Sequence, residues 1–127
     1  MRKRLAPAFM TVALVFLTAA AAIAGGHTVI NAEELKEMMA DGSAIVIVDV
    51  REPELYTRGH LPGAINIPYD GAHDRVLKEL KPGERIVFVC HGGPMGDDLG
   101  TLLVNNGYKE VYNLEGGMRR WRGEIER

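Results

Sequence analysis

Short apolar runs alternate with amphipathic segments along most of the chain, and this alternation predicts an α/β protein. The run AIVIVDV at residues 44–50 is apolar until Asp49, which is typical of a strand buried on both faces of a parallel sheet. The same pattern predicts further short strands at residues 28–30, 64–67, 85–89 and 110–113. We therefore expect five short strands in one parallel sheet.

Segments with helical periodicity separate these strands. Leu35, Met38 and Met39 share one face of a predicted helix. Asn31 caps the start of this helix, and Gly42 ends it. Further helical segments are expected at residues 52–57, 70–80, 96–106 and after the Gly116-Gly117 pair. Helices between parallel strands cover both faces of the sheet.

The first 24 residues have a different composition. A basic head, MRKR, precedes a long apolar stretch that ends in the small residues Ala-Ile-Ala. This order predicts a secretory signal at residues 1–24, cleaved after Ala24, and a mature domain at residues 25–127. Residues 5–24 are also long enough for an uncleaved anchor, which needs about 20 residues, but Pro7 and the cleavage site favour removal. We expect a periplasmic or secreted protein without stable membrane association after cleavage.

Charge and composition exclude several classes of function. The formal net charge is −2, and loss of the signal removes three basic and no acidic residues, which gives −5. Acidic and basic residues are interleaved in the mature part, so we expect no nucleic-acid partner. No metal site or cofactor is expected, because the four histidines show no ligand spacing with the single cysteine: His27, His60, His73 and His91.

The segment VFVCHGGPMGDD places the only cysteine, Cys90, between a strand and a glycine-rich loop. Asp49 also ends a strand, and ligands bind at the carboxyl ends of parallel strands, so we expect Asp49 and Cys90 to be neighbours. Backbone amides from Gly92 onwards can converge on the sulfur, and the start of the next helix adds positive charge. This anion-binding arrangement predicts a reactive thiolate at Cys90 rather than a buried structural thiol.

Two charge effects accompany this prediction. His91 would add positive charge to the loop when protonated. Asp97 and Asp98 would oppose a thiolate, and their alternative role is to stabilise the start of the helix.

Two long segments resemble the signature motifs of rhodanese-type domains. VDVREPELYTRGHLPGAINIP resembles the first signature, and VFVCHGGPMGDDLGTLLVNNGYKEVYNLEGGMRRW resembles the active-site and carboxy-terminal segment. The resemblance runs from about Val29 to Trp121. It implies a rhodanese-like α/β fold, with a five-stranded parallel sheet flanked by helices. It also implies a sulfurtransferase that accepts sulfane sulfur from thiosulfate, polysulfide or a protein persulfide and passes it to cyanide or a thiol.

Site residues follow from this resemblance position by position. Cys90 would be the catalytic residue that carries the persulfide, and the substrate-binding loop would consist of His91, Gly92, Gly93, Pro94 and Met95. Four residues would support the site: Asp49, Arg51, Arg58 and His60. Of these, Asp49 and Arg51 match an Asp-x-Arg motif that orients nearby loops. His60 lies in a turn that frames the pocket, and a structural role is favoured for it, as a core position is for Trp121.

Met95 departs from the family pattern, because many single-domain members have arginine there. Methionine cannot donate to the thiosulfate dianion, so a less charged donor is expected. Gly96 stands where dual-specificity phosphatases need arginine, which argues against phosphate hydrolysis. Two alternatives remain: a catalytically weak rhodanese-like module that binds a partner or carries persulfide, and a redox thiol that forms mixed disulfides with an exported thiol protein.

Overall fold

The computed structural model describes residues 2–4, 6, 22–24 and 26–127. Six strands lie in this part of the chain: β1 (Ala22–Ala24), β2 (His27–Ile30), β3 (Val46–Asp49), β4 (Ile65–Asn66), β5 (Ile86–Val89) and β6 (Val111–Leu114). The same residues form five helices: α1 (Ala32–Ala40), α2 (Pro53–Arg58), α3 (Ala72–Glu79), α4 (Pro94–Asn105) and α5 (Gly117–Arg120). None of these helices is long and apolar enough to cross a membrane. Most of the predicted signal lies outside the described residues, and its cleavage after Ala24 stays a prediction.

The strands form one sheet in the order β1-β2-β6-β5-β3-β4. Strands β2 to β6 are parallel to one another, which confirms the predicted five-stranded parallel sheet. β1 adds an antiparallel edge strand, in which Ala22 pairs with Val29 and Ala24 pairs with His27. β1 was not predicted, because its apolar and small residues have the same pattern as the end of a signal.

Apolar side chains pack on both faces of the sheet, as expected for buried parallel strands. Along each strand, successive side chains point to opposite faces. Val48, Val50, Phe88 and Cys90 therefore face α3 and α4, whereas neighbouring strand residues face α1 and α5. Each fully buried large apolar side chain contributes about 1.5–3 kcal/mol of stability, so these two clusters account for the fold without any cross-link.

Local sequence explains where the helices begin. Asn31 accepts a hydrogen bond from the backbone N–H of Glu34, and the Glu34 side chain accepts one from Asn31 N–H, which completes the predicted cap of α1. Helix α4 begins at Pro94, two residues before the predicted start at Gly96. Proline is well suited to the first helical position, because its φ is already helical and its missing N–H is not needed there.

Candidate active site

Cys90 directly follows β5 and lies at the carboxyl end of the parallel strands, where the sequence predicts the site. Its side chain belongs to the cluster beneath α3 and α4, and the residue is only 1% exposed. The backbone N–H of Gly93 donates a hydrogen bond to Cys90 Sγ over 2.9 Å. An N–H directed at sulfur favours its charged form, so this contact supports a thiolate or a persulfide.

Helix α5 holds the other side of the loop. Met118 N–H donates to Cys90 O over 2.8 Å, and Arg119 N–H donates to His91 O over 3.1 Å. In a trans peptide the N–H points away from the C=O, so the amides of residues 91 and 92 point away from α5. Gly117 makes this packing possible: its φ is +52°, and a Cβ there would lie 2.3 Å from Cys90 O.

The beginning of α4 completes the loop. Gly93 has φ +126° and ψ −40°, a conformation that residues with a side chain rarely adopt. The 12-residue helix that follows directs the positive end of its dipole towards the loop. The chain around Cys90 thus offers backbone donors and a helix dipole to a negatively charged sulfur.

His91 does not present a free positive charge to this loop. Its Nε2 lies 2.9 Å from Oε2 of Glu52, which precedes α2. Hydrogen bonds from the backbone N–H of Glu52 itself and from His91 hold the pKa of the Glu52 carboxyl below its usual value. The charge that the sequence analysis assigned to His91 is therefore paired with a carboxylate.

Met95 is half-buried and packs against the apolar cluster that contains Cys90. It lines a cleft beside the loop together with Val50, Glu52, Tyr69 and Asp70. The cleft combines apolar walls with carboxylates, which gives a small dianion such as thiosulfate little electrostatic attraction. That methionine at this position disfavours a highly charged donor stays a prediction.

A second hydrogen-bonded group lies next to this cleft. Tyr69 donates its hydroxyl to Oδ2 of Asp98 over 2.6 Å, and Nε2 of His73 lies 2.7 Å from the same oxygen. Tyr69 and then His73 hold the pKa of the Asp98 carboxyl below its usual value. The Asp98 side chain is about half exposed, so it contributes to a polar rim rather than to the core.

Asp49 and Cys90 lie at the same edge of the sheet, but their side chains point to opposite faces. Asp49 pairs in register with Val89, the last residue of β5, and Cys90 follows Val89 directly. Arg51 Nη2 donates to Asp49 Oδ2 and to Gly59 O, both over 2.7 Å. The pair therefore ties the end of β3 to the turn after α2, which is a structural role, and it makes no contact with the thiol.

The remaining predicted supporting residues lie at the end of α2 and in the turn that follows it. His60 stacks on Tyr56 with ring centroids 3.8 Å apart, and its Nδ1 lies 2.8 Å from Tyr56 O. Arg58 is exposed at the end of α2. Trp121 is buried in the cluster beneath α1, as expected for a core residue. None of these three residues lines the cleft beside Met95.

Four residues near the loop were not predicted as site residues: Glu52, Asn113, Gly117 and Arg119. Glu52 and Arg119 are charged surface residues whose sequence neighbours give no signal of a site. The nearest signal was the Gly116-Gly117 pair, which predicted a helix start but not its contact with Cys90. Nη1 of Arg119 lies 3.4 Å from the position that a Cβ would take at Gly92, so this guanidinium lies beside the loop.

Comparison with known proteins agrees with this arrangement. The family model described as the Rhodanese-like domain matches residues 31–124. A Bacillus subtilis protein named "Putative sulfur carrier protein YrkF" is 33% identical over 97 residues, which are 76% of this chain and 52% of that protein. This chain thus spans about half the length of that relative. "Thiosulfate sulfurtransferase GlpE" of Pseudoalteromonas translucida is 32% identical over 84 residues, or 65% of this chain and 78% of that protein.

Solved structures show the same fold. The crystal structure of a rhodanese-like domain protein from Staphylococcus aureus has a TM-score of 0.67 and 33% identity, and the alignment covers 77% of this chain and 95% of that one. SSP1007 from Staphylococcus saprophyticus has a TM-score of 0.69 and 31% identity, over 77% and 97% of the two chains. Since the sequence match extends over residues 31–124 and the fold is shared, this chain belongs to the rhodanese-like domain family.

Proposed function

We propose that the chain is a sulfurtransferase in which Cys90 alternates between a thiolate and a persulfide. The observation that carries this proposal is the hydrogen bond from Gly93 N–H to Cys90 Sγ, 2.9 Å long, at the carboxyl end of β5. A preorganised donor at the sulfur stabilises charge on the thiolate before transfer and on the persulfide after it. The relative named a thiosulfate sulfurtransferase supports this reaction class.

The reaction has two displacement steps. The Cys90 thiolate attacks the sulfane sulfur of the donor, a new S–S bond forms, and the donor's own S–S bond breaks. The leaving group departs with the electron pair: sulfite from thiosulfate, a polysulfide one sulfur shorter from a polysulfide, or a thiolate from a protein persulfide. An acceptor thiolate or cyanide then attacks the outer sulfur of the Cys90 persulfide, and Cys90 leaves as the thiolate.

The cleft favours a donor of low charge. Met95 supplies an apolar wall, Glu52 and Asp70 supply carboxylates, and His91 is paired with Glu52. A polysulfide, which spreads its charge along the sulfur chain, or a protein persulfide meets less repulsion in this cleft than a compact dianion. We therefore expect polysulfide to load Cys90 faster than thiosulfate does.

A second candidate is a persulfide carrier that takes up one sulfur atom without rapid turnover. The specific observation in its favour is Met95 at the position where many single-domain members have arginine. The relative named as a sulfur carrier belongs to the same family. In this candidate the same Cys90 persulfide forms, but a partner protein removes the sulfur.

The intact mass of the protein after exposure to each donor tests the proposal. Cys90 is the only cysteine, so one added sulfur atom that cyanide removes, and that Cys90→Ser prevents, identifies the persulfide. Rapid, repeated thiocyanate formation under excess donor and cyanide then supports the enzyme, whereas stoichiometric loading followed by slow thiocyanate formation supports the carrier. Absence of added sulfur from both donors would contradict both candidates.

Export is a separate part of the proposal. It is supported by the basic head, the apolar stretch and the Ala-Ile-Ala site in residues 1–24. The amino-terminal sequence of the protein recovered from a periplasmic fraction tests it. Processing after Ala24 is the expected result, and an unprocessed chain recovered with membranes would support an anchor instead.

A further inference from the structure

A buried polar side chain lies directly behind the Cys90 loop. Asn113, on β6, is 2% exposed, and its Nδ2 donates to Gly93 O over 2.9 Å. Gly93 is the residue whose N–H donates to Cys90 Sγ. One buried amide thus holds the residue that contacts the nucleophile.

Two further residues hold Asn113 and its neighbours in place. Asn113 Nδ2 also donates to Asp97 Oδ1 over 2.9 Å. His27, which is 1% exposed on β2, lies with its Nε2 2.8 Å from the same oxygen. A carboxylate oxygen only accepts, so Nε2 of His27 carries the proton and donates. The result is a hydrogen-bonded chain from β2 through α4 and β6 to the active-site loop.

Helix α4 has glycine where this chain of hydrogen bonds passes beneath it. A Cβ at position 96 would lie 2.0 Å from Asn113 Oδ1, and a Cβ at position 100 would lie 2.8 Å from Cγ of His27. Gly96 and Gly100 thus leave room for two buried polar side chains. Asn113 Oδ1 and His27 Nδ1 have no hydrogen-bond partner within the described residues, and such burial costs stability. An apolar pair would avoid this cost, so the polar residues require a reason other than stability.

The conformation of Gly93 supplies that reason. Its φ of +126° is accessible to glycine but is not its only accessible conformation, so the loop needs an external restraint to stay in it. The hydrogen bond from Asn113 fixes the Gly93 carbonyl and thereby the orientation of the residue. Asp97 is fixed at the same time, with its Oδ1 turned to β2 and β6. A carboxylate that instead turned to the sulfur would disfavour the thiolate.

We propose that Asn113 is a positioning residue that sets the reactivity of Cys90 by fixing Gly93, and that Asp97 and His27 support it. This inference rests on the proposed function only in requiring a reactive Cys90 thiolate. It concerns how the thiolate is stabilised, whichever donor brings the sulfur.

The test compares how fast iodoacetamide alkylates Cys90 across a range of pH in the full chain and its variants. Asn113→Leu keeps the side-chain size, Asn113→Ala avoids crowding, and both remove the donor to Gly93. In a variant that folds, we expect alkylation at neutral pH to fall about tenfold while the plateau rate at high pH is kept. This corresponds to a shift of the profile by about one pH unit. An unchanged profile in a folded variant would overturn the inference.

Tyr108→Phe is the matched control. The Tyr108 hydroxyl also makes a buried hydrogen bond, to Leu80 O, but it does so away from the loop. The Tyr108→Phe variant therefore measures how the loss of a buried hydrogen bond affects stability alone. Its alkylation profile is expected to match that of the parent chain. All of these proteins keep the same charged and titratable groups near the loop: His91, Glu52, Asp98 and Arg119.

A measurement on the unmodified protein keeps the test valid if both Asn113 variants unfold. In NMR spectra, the Asn113 side-chain amide protons are expected to be protected from exchange, and the Gly93 amide proton is expected to shift as Cys90 titrates. Rapid exchange of the Asn113 side-chain amide protons would contradict the inference, and so would a Gly93 amide proton whose chemical shift does not change as Cys90 titrates. Neither assay uses a sulfur donor, so failure of sulfur loading would refute the proposed function and leave this result standing.

Discussion

The carboxylate of Glu52 lies 2.9 Å from Nε2 of His91, and this contact pairs the only basic side chain in the loop of residues 91–95. The loop therefore offers its backbone amides and the start of α4 to a sulfur donor, but no free cationic side chain. We expect this relationship to influence which donors the site favours, because the charge that compensates a dianion must come from elsewhere.

Replacing Glu52 with glutamine is expected to improve the use of thiosulfate. The substitution removes a negative charge from the cleft and releases His91 to act as a cation when it is protonated. We expect Cys90 loading by thiosulfate below pH 7 to rise roughly two- to fivefold, as for other exposed charges, and this gain should shrink at high salt. Glu54→Gln, on α2 beside the same cleft, is the control and should change loading less. Equal gains in thiosulfate loading for the two variants would show that the contact between Glu52 and His91 does not limit this loading.

Met95→Arg is expected to change donor preference. Arginine at this half-buried position would supply charge-assisted hydrogen bonds to an anion, which contribute about 1.5–3 kcal/mol each. We expect thiosulfate loading of Cys90 to increase about tenfold or more and polysulfide loading to change little. Met95→Leu controls for the loss of the native side chain. No gain with arginine would mean that the side chain at position 95 does not limit the use of thiosulfate.

The fold could be predicted from the sequence because its signals are local. The apolar run that ends at Asp49 and the one that ends at Cys90 specify two central strands, and the Asn31 cap specifies the start of α1. β1 was not predicted, since a three-residue strand is defined by its pairing with β2 rather than by its own sequence. A strand that is defined by its pairing with another strand shows no periodic hydrophobic pattern in its own short sequence.

The site could be predicted only in part. The position of Cys90 and its loop after β5 could be predicted because the strand and the glycines are adjacent in sequence, and their role as the active site stays a prediction. The side-chain partners of the loop come from distant positions: Glu52 precedes α2, Asn113 lies on β6 and Arg119 lies on α5. The expected proximity of Asp49 was correct for the backbone, but the alternation of side chains along β3 turns its carboxylate to the other face. Sequence spacing alone does not give that orientation without the strand register.

Arg51→Met is expected to destabilise the protein strongly. Asp49 is fully buried, and Arg51 is the cation that compensates its charge, with 2.7 Å between Nη2 and Oδ2. Removing one partner of a buried ion pair leaves an uncompensated charge, which costs about 3–5 kcal/mol. Chemical denaturation measures the free energy of unfolding, with Arg58→Met as the control because Arg58 is exposed. A cost below about 1 kcal/mol for Arg51→Met would contradict the structural role of the pair.

The Tyr69 contact with Asp98 is expected to make stability depend on pH in the acid range. Tyr69 and His73 lower the pKa of the folded Asp98 carboxyl, so the protein gains stability above the unfolded pKa, near 3.9. That contribution is lost as the pH falls through the lower folded pKa. The stability difference between the parent chain and Tyr69→Phe, from urea denaturation, should therefore shrink as the pH falls from 6 to about 3. Tyr112→Phe, at a half-buried position on β6, should show no such trend.

Arg119 is the guanidinium beside the loop, with its Nη1 3.4 Å from the Cβ position at Gly92. Within the described residues Arg119 has no carboxylate partner, whereas Nη1 of the neighbouring Arg120 lies 3.8 Å from Oε1 of Glu115. We expect Arg119→Gln to lower thiosulfate loading of Cys90 roughly two- to fivefold, because it removes one exposed charge that attracts the anion. Arg120→Gln is the matched control and should have little effect. Loading by a neutral polysulfane should be the same in both variants. If Arg120→Gln lowers thiosulfate loading as much as Arg119→Gln does, the effect comes from overall charge and not from the position of Arg119 beside the loop.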